Sequence, residues 1–243
     1  DITLDDIEIY DLQQYDAGVV AMTEPVTPAP TGVQDVKVKI VNFGYDVLTS
    51  ATINWEVDGV PQTPFNWSGS IFCLDTSAEI TVGTYNFTTG FYSMKFWTTN
   101  PSGNPDQNTL NDTLETELVV CGGGMAGTYT IDPSTGDFPT FNDAILMMET
   151  CGITAPVVFN VGTATYDESV VVGTVSGASP TNTITFKSAT GNAADVVISP
   201  AAVPGDYAIV KFENTSHITW QDMTIEGSGL TNARGFYIGT GAD

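Results

Sequence analysis

Residues 212–227 read "FENTSHITWQDMTIEG" and hold the only histidine of the chain, a tryptophan, and acids on either side of a methionine. Ile218 and Trp220 alternate with His217, Thr219 and Gln221, and Met223 and Ile225 alternate with Asp222, Thr224 and Glu226. Period-2 alternation is the mark of a half-buried strand. The break in phase between Trp220 and Met223 predicts a bend between two short sheets. A catalytic histidine needs a nucleophile and an orienting partner, and neither a second histidine nor a Gly-x-Ser-x-Gly elbow accompanies His217. It reads as a turn or exterior residue.

Similar segments precede this one. "VVFNVG" (157–162), "TITFKS" (183–188), "AIVKFE" (208–213) and "RGFYIG" (234–239) recur at a step of roughly 26 residues, within the range of solenoid repeats. Phe159, Phe186, Phe212 and Ile238 head successive units, and Val172, Ile198 and Ile225 make a second series. Both series predict stacked inward columns, as in a parallel β-helix with one coil per unit, beginning after Pro156. In that register Asn160, Lys187 and Glu213 stack on the outside, and Lys187–Glu213 is an exposed ion pair worth at most about 1 kcal/mol. "RGFYIGTGAD" opens a fourth coil, and further coils are expected to follow. Upstream, Phe141, Ala144, Ile145 and Met148 recur at helical spacing, with Thr140 as N-cap, Asp143 three residues on, and Gly152 as the stop. This helix is expected to cover the first coil.

The region 16–120 is a run of short alternating segments divided by turn residues. "QDVKVKIVNFG" sets Val36, Val38 and Ile40 against Lys37 and Lys39, and "ATINWEVDGV" ends in an Asp58-Gly59 hairpin signal. Roughly seven strands at this spacing predict an immunoglobulin-like β-sandwich. "CGGG" (121–124) is the joint before a second domain, 121–243. The opening "DITLDDIEIYDL" alternates like a strand, and 1–15 reads as the terminal strand of an upstream module. The fold class is therefore all-β: an Ig-like sandwich followed by a right-handed parallel β-helix with a short capping helix.

The 243 residues carry 6 Lys+Arg against 29 Asp+Glu, a formal net charge of −23, yet only 14% are charged. A field of this sign repels phosphate backbones and anionic lipid, so neither nucleic acid nor membrane insertion is expected, and no run of 18 apolar residues is present. The three cysteines, Cys73, Cys121 and Cys151, make no CxxC or Cys/His cluster. Cys121 and Cys151 flank the junction unit and are expected to pair, against a reading of three free thiols.

Two resemblances go further. "VKVKIVNFGYDVLTSATINWEVDGV" (36–60) and "NPSGNPDQNTLNDTLETELVV" (100–120) resemble the CARDB type of Ig-like adhesin module, through an Asn-x-Gly turn, an I-x-W-x-V strand and an Asn-Asp before the last strand. "GTYTIDPSTGDFPTFNDAILMMETCGITAPVVFNV" (127–161), with "ASPTNTITFKSATGNAADVVI" and "HITWQDMTI", resembles the opening of right-handed β-helix domains in large secreted Bacteroidetes-type proteins. That resemblance implies a type IX-secreted surface protein, with gliding-motility adhesins as one class. It also implies partners such as an extracellular surface or polysaccharide, neighbouring domains of the same chain, and secretion and outer-membrane attachment machinery.

Candidate sites are few. "NPDQNTLND" gathers Asp106, Asn108, Asn111 and Asp112, hard oxygen ligands suited to Ca2+, and no other cofactor is expected. A polar turn closed by Asx hydrogen bonds is the other reading, since the EF-hand glycine and terminal glutamate are missing. Asp112-Thr113-Leu114 matches an Asp-Thr-aliphatic acceptor, making Thr113 a candidate glycosylation site. Trp67 and Trp97 offer sugar-stacking rings or core packing. No catalytic residues are assigned, because Asp222, Glu226, Glu213, Lys187, Lys211 and Arg234 form no cluster across coils. The expected function is a non-enzymatic segment of a cell-surface adhesin. The alternatives are the leading part of a secreted β-helix polysaccharide lyase or hydrolase, and a glycan-binding module.

Overall fold

In a computed structural model, residues 12–201, 208–227 and 234–242 are described. The strand expected over 1–15 falls mostly outside them, and Leu12–Tyr15 carry no strand. The chain is mostly β, with one α-helix among the described residues, and divides into two compact units, Asp1–Gly122 and Gly123–Asp243.

The first unit contains β1 (Ala17–Glu24), β2 (Ala29–Pro30), β3 (Gly32–Asn42), β4 (Leu48–Val57), β5 (Val60–Pro61), β6 (Phe65–Ile71), β7 (Ile80–Phe87), β8 (Gly90–Thr99) and β9 (Thr113–Cys121). One sheet runs β1-β3-β7; the other runs β2-β9-β8-β4-β5, with β6 also on β4. Inward residues of both sheets share one core, in which Val36, Val38, Ile40, Ile53, Met94, Phe96 and Leu118 are fully buried. The alternation in β3 thus does what its spacing predicts: valines inside, Lys37 and Lys39 on the other face. Trp55 stacks on Phe96 at 6.5 Å and donates its Nε1–H to the Thr63 carbonyl. Gly83 lies under the indole, where a Cβ would stand 2.7 Å from it. Asp58 and Gly59 both take positive φ, which the twist of a two-residue hairpin requires between β4 and β5.

The second unit opens with β10 (Met125–Ile131), followed by α1 (Phe141–Cys151). Then come β11 (Ile153–Val161), β12 (Ala164–Tyr166), β13 (Val170–Val172), β14 (Ile184–Ser188), β15 (Val196–Ile198) and β16 (Ala208–Phe212). The last three are β17 (Ile218–Gln221), β18 (Thr224–Ile225) and β19 (Arg234–Ile238). They form three parallel sheets, β10-β11-β14-β17, β12-β15-β18 and β13-β16-β19. From β11 onward the chain visits these sheets in the same cyclic order three times.

The columns differ from the expected ones. Phe159 pairs with Phe186, and Phe186 with Trp220, all on the first sheet. Phe212 lies on the third sheet, between Val172 and Ile238. Tyr166, Ile198 and Ile225 make the column of the second sheet, so Val172 is not a member of that series. Asn160 does sit beside Lys187, but the next position is Gln221 rather than Glu213. Glu213 pairs instead with Lys211, at 2.8 Å. "RGFYI" completes the third turn of strands instead of opening a fourth, and the stack begins with β10, earlier than Pro156. The physical reason is turn length. Segments of unequal size join the strands, so matching phenylalanines in sequence are not matching positions in space.

Helix α1 begins where its residues predict. The Thr140 hydroxyl accepts from the Asp143 N–H at 3.0 Å, and Gly152 ends the helix at φ 69°. Phe141, Ala144, Ile145, Met147 and Met148 form its buried face. Phe141 reaches beyond a cap's surface contact: its ring lies 5.0 Å from Tyr166 and 5.3 Å from Trp220. Both Glu168 carboxylate oxygens accept from the helix start, the Phe141 N–H at 2.9 Å and the Asn142 N–H at 3.0 Å.

Candidate metal centre

The 104–112 loop lies against the start of β1, and hydrogen bonds fix it there. Gln107 Oε1 accepts from the Gln14 and Tyr15 N–H groups, and the Gln107 N–H donates to the Tyr15 carbonyl. The Val19 N–H donates to the Asp112 carbonyl at 3.1 Å. Close approach is possible because residue 18 is glycine, where a Cβ would fall 2.2 Å from the Asn111 carbonyl oxygen. From the other side, the Asn42-Phe43-Gly44 turn holds Asp16, whose carbonyl accepts from Phe43 N–H at 2.9 Å and Gly44 N–H at 3.0 Å.

These constraints bring Asp16, Asp106 and Asp112 together, one carboxylate oxygen from each lying within 4.8 Å of the others. Each Asp106 carboxylate oxygen accepts one backbone N–H, Oδ2 from Ala17 at 3.2 Å and Oδ1 from Asn108 at 3.0 Å, and keeps a lone pair free. Asp16 Oδ2 receives only long contacts from the Asn108 and Asn111 amides, at 3.4 and 3.3 Å. Asp16 and Asp112 are 4% and 5% exposed. Asp16 Oδ1, Asp112 Oδ1 and Asn111 Oδ1 are buried acceptors without a donor. Such groups are few in native proteins, and each leaves a desolvation cost uncompensated.

The electrostatics agree with that geometry. Burial is the largest influence on Asp112, and the Asp106 and Asp16 charges add to it, pushing its carboxyl up to about 7. Burial also raises Asp16; the Asn111 amide opposes this, Asp106 reinforces it, and Asn108 opposes it. Asp16, Asn108 and Asn111 line a cavity together with Leu12, Phe43 and Gln107, which gives the cluster an opening.

The loop 104–112 therefore presents Asp106 and Asp112 at one centre, with Asn111 and Asn108 as amide neighbours. Asp16 was invisible in the sequence as a member, being far away in the chain. Its one local signal is an acid set immediately before an apolar strand, "YDAGVV". Thr113 is exposed at the start of β9, opposite Trp97. Trp67 packs partly against the first unit's core. Cys121 and Cys151 are disulfide-bonded and Cys73 is a free thiol. His217 takes φ 63° at the head of β17, with Nδ1 at 2.7 Å from Ser216 Oγ and its carbonyl accepting from the Ile184 N–H. Lys187 lies on the first parallel sheet and Lys211 on the third, while Asp222 and Glu226 flank β18.

No family model matches the chain, and no curated protein matches it. Some solved structures match part of the chain. One is the CARDB domain of the PF1109 protein from Pyrococcus furiosus in complex with di-metal ions, at 15% identity and TM-score 0.34, covering 49% of this chain and 99% of that one. Another is a domain (272–376) of a protein described as a putative cell surface protein from Methanosarcina acetivorans, at 21% identity and TM-score 0.36, covering 44% and 93%. Scores this low carry no inference to ligand or activity. Among the described residues, no helix is long and apolar enough to cross a membrane.

Proposed function

We propose that this chain is a non-enzymatic structural segment of a large bacterial surface protein, an Ig-like module followed by the first coils of a right-handed parallel β-helix. The cyclic return to the same three parallel sheets carries this reading. Each turn of strands adds a stiff increment whose backbone bonds run along the stack, and such a rod suits the display of binding surfaces away from a cell. The charge of −23 limits self-association of neighbouring copies. Type IX secretion, a role in gliding or attachment, and an extracellular polysaccharide or surface as partner belong to the same proposal.

The lyase or hydrolase reading is weaker because its ingredients are dispersed. Lys211 is committed to Glu213, and Lys187, Asp222 and Glu226 sit on different sheets or turns. A β-helix enzyme would bring acids and a base to one face. The test joins two measurements. An antibody raised against the chain should label intact cells of the source organism, while the purified chain should release no unsaturated or reducing ends from a panel of acidic and neutral polysaccharides. Turnover on any of them would make the enzyme reading the correct one, and labelling only after lysis would remove the surface assignment.

A further inference from the structure

We propose that Asp16, Asp106, Asp112 and Asn111 bind one hard divalent cation, Ca2+, which fastens the start of β1 to the loop that precedes β9. Three carboxylates converge in one place, two of them on nearly inaccessible residues. Hydrogen bonds within the cluster leave three oxygens unsatisfied, one on each of Asp16, Asn111 and Asp112. Asn111 is an independent witness: it carries no charge, its Nδ2 donates to Asp16, and its carbonyl oxygen is nevertheless buried without a donor.

Spacing and ligand type choose the ion. Oxygens on opposite sides of a Ca2+ ion, each about 2.4 Å away, stand at most about 4.8 Å apart. The separation within 4.8 Å therefore needs no collapse of the loop. Every donor is a carboxylate or amide oxygen, which favours a hard cation over zinc or copper. The cavity beside Asp16, Asn108 and Asn111 leaves room for the waters that complete six to eight ligands. Mg2+ is the poorer fit, because it demands an octahedron at shorter distances and sheds water reluctantly.

The test uses the whole chain, stripped with EDTA and titrated with CaCl2 by calorimetry and in thermal melts. One saturable site is expected, with a rise in the Tm of the first unit on the order of 10 °C at hundredfold excess over Kd. MgCl2 should bind at least about tenfold more weakly. Asp16→Asn and Asp112→Asn each remove a buried like charge, so their metal-free melts should match or exceed the wild type, with Ca2+ affinity lowered at least about tenfold. Absence of heat and of any Tm change in the wild type at about 10 mM CaCl2 overturns the site. Variants that keep the wild-type response also overturn it, since the ion would then bind elsewhere. Should either variant not fold, sensitised Tb3+ luminescence of the wild type, displaced by CaCl2, decides the matter, and no displaceable signal counts against the site.

Discussion

The ring of Phe159 lies 4.7 Å from that of Phe186, with planes 16° apart. One strand spacing separates the two residues, so the stack of rings follows the stack of strands. Trp220 continues it, 5.0 Å from Phe186. Pairs in this geometry contribute about 0.5–1.5 kcal/mol beyond the area they bury. The middle ring makes both of these contacts, lies 6.1 Å from the Phe141 ring as well, and is fully buried.

Phe186→Ala should therefore destabilise the second unit by about 3–5 kcal/mol, through lost transfer energy and an unfilled cavity. Urea denaturation followed by tryptophan fluorescence would measure this. A loss under about 1 kcal/mol would mean the ring is not central.

The register of the coils can be checked from outside. Lys211 and Glu213 are 2.8 Å apart with side chains 17% and 44% exposed, so a double-mutant cycle should return a coupling of about 0.2–1 kcal/mol that fades with salt. The same cycle on Lys187 and Glu213 should return nothing, because Gln221 occupies the position next to Lys187. Coupling in the second cycle and none in the first would restore the column of matched phenylalanines.

That column shows where reading the sequence stops. Helix α1 was legible because its signals are local: an N-cap at Thr140, an apolar face at helical spacing and a terminal glycine. The bend after Trp220 was legible too, since it is a change of phase within ten residues, and Asp222 makes it with φ 55°. The pairing of Phe186 with Trp220 depends instead on the lengths of the intervening turns, which no periodicity records. The acidic centre divides in the same way. Asp106 and Asp112 stand in one loop and were found together. Asp16 joins them only after Gly18, Gln107 and the Asn42-Phe43-Gly44 turn have set β1 against that loop.

Glu168 holds the start of α1 with both carboxylate oxygens, so Glu168→Ala should cost about 1–2 kcal/mol. Burial raises its pKa more than the Phe141 and Asn142 N–H groups lower it, with Asp143 adding to the rise. The folded state thus holds this proton more tightly than the unfolded state. The group's contribution is fully present below the ordinary glutamate value, about 4.3, and is lost as pH rises through the raised folded value. Glu168→Gln does not titrate. Measured by urea melts at several pH values, its stability relative to wild type should improve as pH rises across that window. The opposite slope would mean the helix N–H groups dominate.

Gly18 tests how the acidic centre is assembled. Its missing side chain is the space through which the Asn111 carbonyl approaches β1, and a Cβ there would also fall 3.0 Å from the Phe43 ring. Gly18→Ala cannot be relieved by a rotamer change, because the nearest atom is backbone. The 104–112 loop has to move away, which breaks the bond from Val19 N–H to the Asp112 carbonyl and the three Gln107 hydrogen bonds to residues 14 and 15. A loss of about 1–3 kcal/mol is expected in the metal-free chain, the range of overpacking in a well-fitted site. Amide exchange should then quicken at Val19 and Gln107, whose N–H groups bond across to the Asp112 and Tyr15 carbonyls. Exchange at Val38 and Ile40, deep in β3, should stay slow. If Gly18→Ala leaves stability and exchange at Val19 unchanged, the loop does not rest on β1, and the three carboxylates are not held together by the contacts described.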